Sequence, residues 1–335
     1  MAQSLSSAAL ENLTSWHSPW SGLRAVVIGL GHTGFAIVDT LCELGCDVTV
    51  IAAEAAPDIV KLSEVVGARV IVDSDDTQRL AALEGIDPDF AVVSPGVAPT
   101  DPVVVQLSHA GVPVLSDLNL AWRLRDKSAE PAEWILVQHS GDSDTTVGLA
   151  QRIFQAASHP TRVVGFQAPP LLDALREPRP YSALIIQVSP ASLVWKERFP
   201  DSPVSPRVTV SWGEGSPADS GVFFDGTTLA CVYRKGLGPS ESQVADADVV
   251  EGARAIGIGL DSPGMSDIGV VEGIIVDRAF LEDRANQALE ISTVDELAEA
   301  GWDIPGDIPA ILAAVAIARS RDVEPALIAG VLSLP

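Results

Sequence analysis

The sequence predicts two consecutive α/β domains, and three observations carry the prediction. Short apolar runs alternate with amphipathic stretches from Leu23 onward, as in doubly wound sheets with covering helices. A glycine-rich loop directly follows the first predicted strand. A second strand, loop and amphipathic segment of the same kind opens after a charged, proline-containing link.

In the first domain, Arg24 to Ile28 reads as a buried strand, Thr33 to Leu44 as a helix and Asp47 to Ile51 as the next strand. Strands at Arg69 to Val72, Phe90 to Val93 and Val112 to Leu115 continue the series. The link from Arg125 to Glu133 contains Pro131 and marks the boundary. Beyond it, strands are predicted at Trp134 to Val137, Arg162 to Gly165, Leu184 to Val188 and Arg207 to Val210. Thr228 to Tyr233, Ala253 to Gly257 and Gly273 to Val276 complete the set. Thr145 to Ala157 reads as a helix, Gly213 to Gly221 as a loop, and Ile308 to Arg319 as a strongly apolar helix. Pro325 suits the first position of a last helix. The expected division is therefore an extension at 1–22, a Rossmann-like domain at 23–126 and a second α/β domain at 133–335.

Composition narrows the function. Of 335 residues, 21 are Lys or Arg and 45 are Asp or Glu, giving a formal charge of −24. No basic run is present, so nucleic acid is excluded as an expected partner. Three cysteines do not make an even disulfide framework, which fits a reducing compartment. Cys42 and Cys46, four apart on a predicted helix, read as core side chains, with a metal pair as the lesser alternative. The segment from Met1 to Trp20 has neither a basic start nor a long apolar stretch. The expectation is a cytoplasmic protein with no membrane span.

The loop Gly29-Leu30-Gly31-His32-Thr33-Gly34 sits between strand and helix, where glycines let a phosphate approach the backbone and the helix start supplies N–H donors. It could serve a dinucleotide or another diphosphate. An NAD(P) enzyme usually carries an acid at the end of its second strand; here that strand ends Val50-Ile51-Ala52-Ala53, and Glu54 comes late. Two further pieces bear on the choice: Val93-Ser94-Pro95-Gly96-Val97 after a strand, and Leu115-Ser116-Asp117-Leu118-Asn119-Leu120-Ala121 leading into a helix.

Together these pieces resemble the uridine-diphosphate-binding domain of the Mur ligase family, closest to its D-glutamate-adding members. The resemblance implies substrate contacts at Gly31, His32, Thr33, Ser94, Pro95 and Gly96, and at Asp117. A plain turn residue at Ser94 and a helix N-cap at Asp117 remain open alternatives.

The resemblance extends from Trp134 to about Leu332, where active family members carry an ATP loop of the Gly-x-x-Gly-Lys-Thr/Ser type. Its glycines expose N–H groups, its lysine neutralises phosphate and its hydroxyl holds Mg²⁺. This chain has His139-Ser140-Gly141-Asp142-Ser143-Asp144-Thr145. Ser143 stands at the expected lysine, Asp144 at the first hydroxyl and Asp142 at a glycine. Two carboxylates facing a triphosphate would each cost roughly 1 to 4 kcal/mol. Asp142 and Asp144 could instead hold a cation, although two solvated aspartates are the commoner arrangement.

Gln187 stands where the family has an acidic Mg²⁺ ligand, and Asp307 and Ala310 stand where asparagines approach adenine. The His, acid and lysine positions after Val210 are rewritten as Ser211-Trp212-Gly213-Glu214-Gly215 and onward. The family's third domain would follow Pro335, and the expectation is a degenerate member that lacks it. The expectation is a pseudo-ligase of peptidoglycan precursor metabolism, with no catalytic residue, no metal and no ATP or Mg²⁺ cofactor. It would bind UDP-N-acetylmuramoyl-L-alanine or UDP, and act as a regulator or a scaffold for cell-wall or division proteins. The alternatives are an ATP-dependent ligase working with a partner chain, and an NAD(P)-binding Rossmann protein.

Overall fold

A computed structural model describes residues 10, 12–138, 143–198, 204–211 and 221–334. The chain forms two compact units. The first comprises 1–131 with the returning segments 169–179 and 194–204; the second comprises 132–168, 180–193 and 205–335.

In the first unit, the chain runs β1 (Arg24–Ile28), α1 (His32–Glu43), β2 (Asp47–Ala52), α2 (Pro57–Val65), β3 (Arg69–Val72) and α3 (Asp76–Ala81). It continues through β4 (Phe90–Val93), α4 (Pro102–His109), β5 (Val114–Ser116) and α5 (Asp117–Leu124). The sheet order is β3-β2-β1-β4-β5, with every pair parallel. A parallel sheet is covered on both faces, which is why β1 and β4 read as continuous apolar runs rather than alternating ones.

Residues preceding β1 belong to this unit. Trp20 is buried edge-on to Phe90 at 5.9 Å, and Asp126 accepts from Ser15 Oγ (2.5 Å) and Trp16 N (2.7 Å). Cys42 and Cys46 are free thiols. Burial raises both above the ordinary thiol value, Cys46 to about 12, so they pack as neutral groups.

The second unit contains β6 (Glu133–Gln138), α6 (Ser143–Ala156), β7 (Thr161–Gly165), β8 (Ala183–Val188), β9 (Val208–Ser211), β10 (Ala230–Arg234) and β11 (Arg254–Ile258). Then come β12 (Asp267–Val271), β13 (Ile274–Asp277) and β14 (Leu289–Thr293). The nine strands are ordered β14-β13-β12-β11-β10-β9-β6-β8-β7. They are parallel from β7 to β12 and antiparallel from β12 to β14.

Helices Ile308–Arg319 and Pro325–Leu332 close the unit at the predicted positions, with a proline in the first turn of each. The first of them is buried on every side from Ala310 to Arg319, which explains a sequence with no polar face. The predicted loop Gly213 to Gly221 lies outside the described residues up to 220. Among the described residues, no helix is long and apolar enough to cross a membrane.

Candidate functional site

The first unit's order places β1 between β2 and β4, so the loops leaving β1 and β4 diverge at the carboxyl end of the sheet, where such folds bind ligands. A cavity of about 600 Å³ lies there, walled by the loops after β1, β2 and β4.

Two glycines bring these walls together. Gly29 has φ +88°, and a Cβ there would lie 2.6 Å from Val97 Cγ2 and 3.2 Å from Ser94 Cβ. A Cβ on Gly34 would meet the Gly29 carbonyl oxygen at 2.3 Å. Gly31 differs: its backbone is extended, nothing lies within 4 Å of its missing Cβ, and it borders the cavity. It is the N-cap of α1 and provides no side-chain cap, which leaves the first N–H groups of the helix available to an anion.

Of the predicted substrate residues, Gly31, His32, Ser94 and Gly96 border the cavity. Thr33, in the first turn of α1, and Pro95, in the turn after β4, are not among the lining residues. Asp117 is not among them either, because β5 is the edge strand beyond β4. Nor is Asp117 the cap of its helix: Ser116 is, in a reciprocal box with Asn119 (Asn119 N to Ser116 Oγ and Ser116 N to Asn119 Oδ1, both 3.2 Å). Asp117 Oδ1 is buried without a hydrogen-bond partner, and burial pushes the carboxyl up to about 6, against the pull of neighbouring backbone N–H groups.

Two residues at this site escaped sequence reasoning. Arg79 borders the cavity, 4 % exposed, and donates to Asp101 Oδ2 at 2.8 Å and to Asp76. Burial disfavours its charge, but these hydrogen bonds outweigh that and hold it above its ordinary value. Trp195, on the returning segment, is fully buried and donates from Nε1 to Val97 O at 3.0 Å, bracing the turn after β4. Neither residue belongs to a local motif; only the tertiary fold brings them here. Glu54, the late acid after β2, also borders the cavity.

In the second unit, His139 to Asp142 of the altered loop, including Gly141, lie outside the described residues. Ser143, in the lysine position implied by the resemblance, is buried at the start of α6. Asp144 is exposed, and Oδ1 accepts from Gln187 Nε2 at 2.6 Å. Thr145 follows in the same first turn, half-buried. Ala310 is buried, its carbonyl accepting a long hydrogen bond (3.4 Å) from Thr146 Oγ1, while Asp307 Oδ2 accepts from Asp303 N at 2.9 Å. None of these described residues carries a cationic side chain, the group that neutralises phosphate in loops of this type.

A family model described as Mur ligase MurD-like, N-terminal domain, matches residues 23–116. The chain is 40 % identical to the UDP-N-acetylmuramoylalanine–D-glutamate ligase of Leifsonia xyli subsp. xyli, over 97 % of this chain and 66 % of the relative. It is 36 % identical to the enzyme of that name from Tropheryma whipplei strain Twist, over 94 % and 67 %. It thus spans about two thirds of the length of these relatives. Among solved structures, it is similar to the UDP-N-acetylmuramate:L-alanyl-gamma-D-glutamyl-meso-diaminopimelate ligase from Neisseria meningitides, with TM-score 0.52 and 13 % identity. That alignment covers 93 % of this chain and 98 % of the solved one, and it bears on the fold alone.

Proposed function

The chain belongs to the Mur ligase family, and from that membership we propose a cytoplasmic MurD-like pseudo-ligase of peptidoglycan precursor metabolism that keeps a uridine-diphosphate site and has lost ATP binding. The observation that carries this reading is the Gln187–Asp144 hydrogen bond. Asp144 stands at the family's metal-binding hydroxyl and Gln187 at its acidic metal ligand. The two groups satisfy each other, with no lysine beside them at Ser143.

The cavity of the first unit supports the retained half. An uncapped helix start at Gly31 and an open volume of about 600 Å³ suit the diphosphate and part of the sugar of UDP-N-acetylmuramoyl-L-alanine. Arg79 adds a charge to the wall that two carboxylates already hold in place. A protein of this kind would sequester the precursor or present it to cell-wall or division proteins.

Thermal unfolding with UDP-N-acetylmuramoyl-L-alanine, UDP, ATP with Mg²⁺, and NADH tests the reading. A uridine ligand at about a hundred times its dissociation constant should add about 2.7 kcal/mol, with no response to ATP. Stabilisation by ATP with Mg²⁺ would overturn it in favour of a ligase, the reading that the names of the relatives favour. Stabilisation by NADH alone would favour a dinucleotide protein, the reading that Glu54 at the cavity wall supports.

A further inference from the structure

The second unit carries another cavity, of about 420 Å³, at the opposite ends of its strands, where β9, β10 and β11 begin. Four arginines border it: Arg207, Arg254, Arg284 and Arg319, with Phe280 and Leu229 as apolar wall. They are four of the 21 basic residues in a chain of charge −24, and Arg319 among them is buried.

Two of the four already have carboxylate partners. Arg319 donates from Nε to the buried Asp277 Oδ2 at 2.8 Å, and Arg207 donates to Glu133 Oε1 at 3.1 Å. Arg254 and Arg284 make no ion pair among the described residues. Arg254 donates to the Ala279 carbonyl at 2.7 Å and lies 5.6 Å from the Phe280 ring centroid; Arg284 donates to Ser266 Oγ at 3.3 Å. Burial, and then the like charge of Arg284, hold Arg254 below its ordinary value, with Asp277 opposing weakly. Glu282 and Asp322 stand exposed at the rim and pair with neither arginine. The two guanidinium groups are thus fixed by neutral acceptors beside a cavity, each with donors left over.

We propose that Arg254 and Arg284 form a binding site for a small metabolite bearing a phosphate or carboxylate group, separate from the cavity of the first unit. Planar guanidinium forks match either oxyanion in a two-point contact, and the volume suits a small molecule. Phe280 and Leu229 would cover the ligand's less polar part.

Titration calorimetry of the full chain with pyrophosphate and with citrate, against sodium chloride at matched ionic strength, tests this. At least one anion should bind, and binding should weaken about tenfold or more in Arg254→Gln/Arg284→Gln, the loss of at least one charge-assisted hydrogen bond. Pyrophosphate alone would name a phosphate ligand, and citrate alone a carboxylate; either supports the site. A footprint with phenylglyoxal, read by mass spectrometry, covers the case of a variant that does not fold. The bound anion should protect Arg254 and Arg284 of the unaltered protein and leave exposed Arg69 reactive. No binding beyond the chloride control, unchanged affinity in the double variant, or protection elsewhere would overturn the proposal.

Discussion

Gln187 Nε2 donates to Asp144 Oδ1 at 2.6 Å, joining the end of β8 to the first turn of α6 in the second unit. Gln187 is buried and Asp144 is exposed, so the bond satisfies a buried amide with a solvated acid. Gln187→Glu should replace this bond with two facing carboxylates. The expected loss at pH 7 is about 1 kcal/mol, the low end of the Coulomb range because Asp144 is screened by water. Repulsion raises a folded-state pKa above its unfolded value, so the loss should shrink as pH falls toward 4. Millimolar Mg²⁺ should also restore stability by bridging the pair. Urea unfolding across pH, with and without Mg²⁺, reads both effects; a pH-independent loss would show that the hydrogen bond alone was at stake.

Asp117 gives a pH dependence of its own. Its folded pKa is raised to about 6 from 3.8, so the folded state binds a proton more tightly than the unfolded chain. Its contribution to stability is therefore fully present below about pH 4 and is lost as pH rises through 6. Asp117→Asn should stabilise the first unit by about 1 to 3 kcal/mol at pH 7.5 and by little at pH 4. Denaturant melts of both proteins at the two pH values check this; an equal difference at both would assign the effect to something other than ionisation.

Much of this architecture is legible in the sequence because local rules agree with it. The strands β1, β3 and β4 and the helix Ile308–Arg319 have the predicted bounds, since apolar runs of strand length and Pro at a helix start are local signals. β12 and β14 were not predicted. β12 reads Asp-Ile-Gly-Val-Val and β14 Leu-Glu-Ile-Ser-Thr, short polar-interrupted runs that become strands by antiparallel pairing with β13. At the cavity, Gly31, His32, Ser94 and Gly96 were visible because a strand-loop-helix motif has fixed spacing. Arg79 and Trp195 were not, because Arg79 acts through Asp101 and Trp195 reaches Val97 across 98 positions.

That reach of Trp195 makes a prediction about the cavity. Trp195→Phe keeps most of the buried apolar surface but leaves the Val97 carbonyl without the Nε1 donor. The expected loss is about 0.5 to 1.5 kcal/mol of stability, the net worth of one hydrogen bond to a half-buried carbonyl, together with some lost packing. Hydrogen exchange should quicken at Val97 and its neighbours more than at β3, which lies on the far side of β1 and β2. Uniform acceleration across the first unit would mean that Trp195 stabilises the core without specifically bracing the turn.

The three loop glycines separate structure from binding. Gly34→Ala forces a Cβ to 2.3 Å from the Gly29 carbonyl oxygen, a backbone atom that cannot rotate away. It should cost about 3 kcal/mol or more in stability, as overpacked sites do. Gly29→Ala adds a positive φ to a clash with Val97 and should be comparably damaging. Gly31→Ala meets neither obstacle and should lower stability by no more than about 1 kcal/mol, the preference of an N-cap for glycine over alanine. Its methyl group would nevertheless stand where a diphosphate must approach the first turn of α1. Calorimetric titration with UDP should therefore show at least about tenfold weaker binding to Gly31→Ala, one lost charge-assisted hydrogen bond or more. Equal affinity for UDP in the two proteins would remove the diphosphate from this loop, while its folding role at Gly29 and Gly34 would stand.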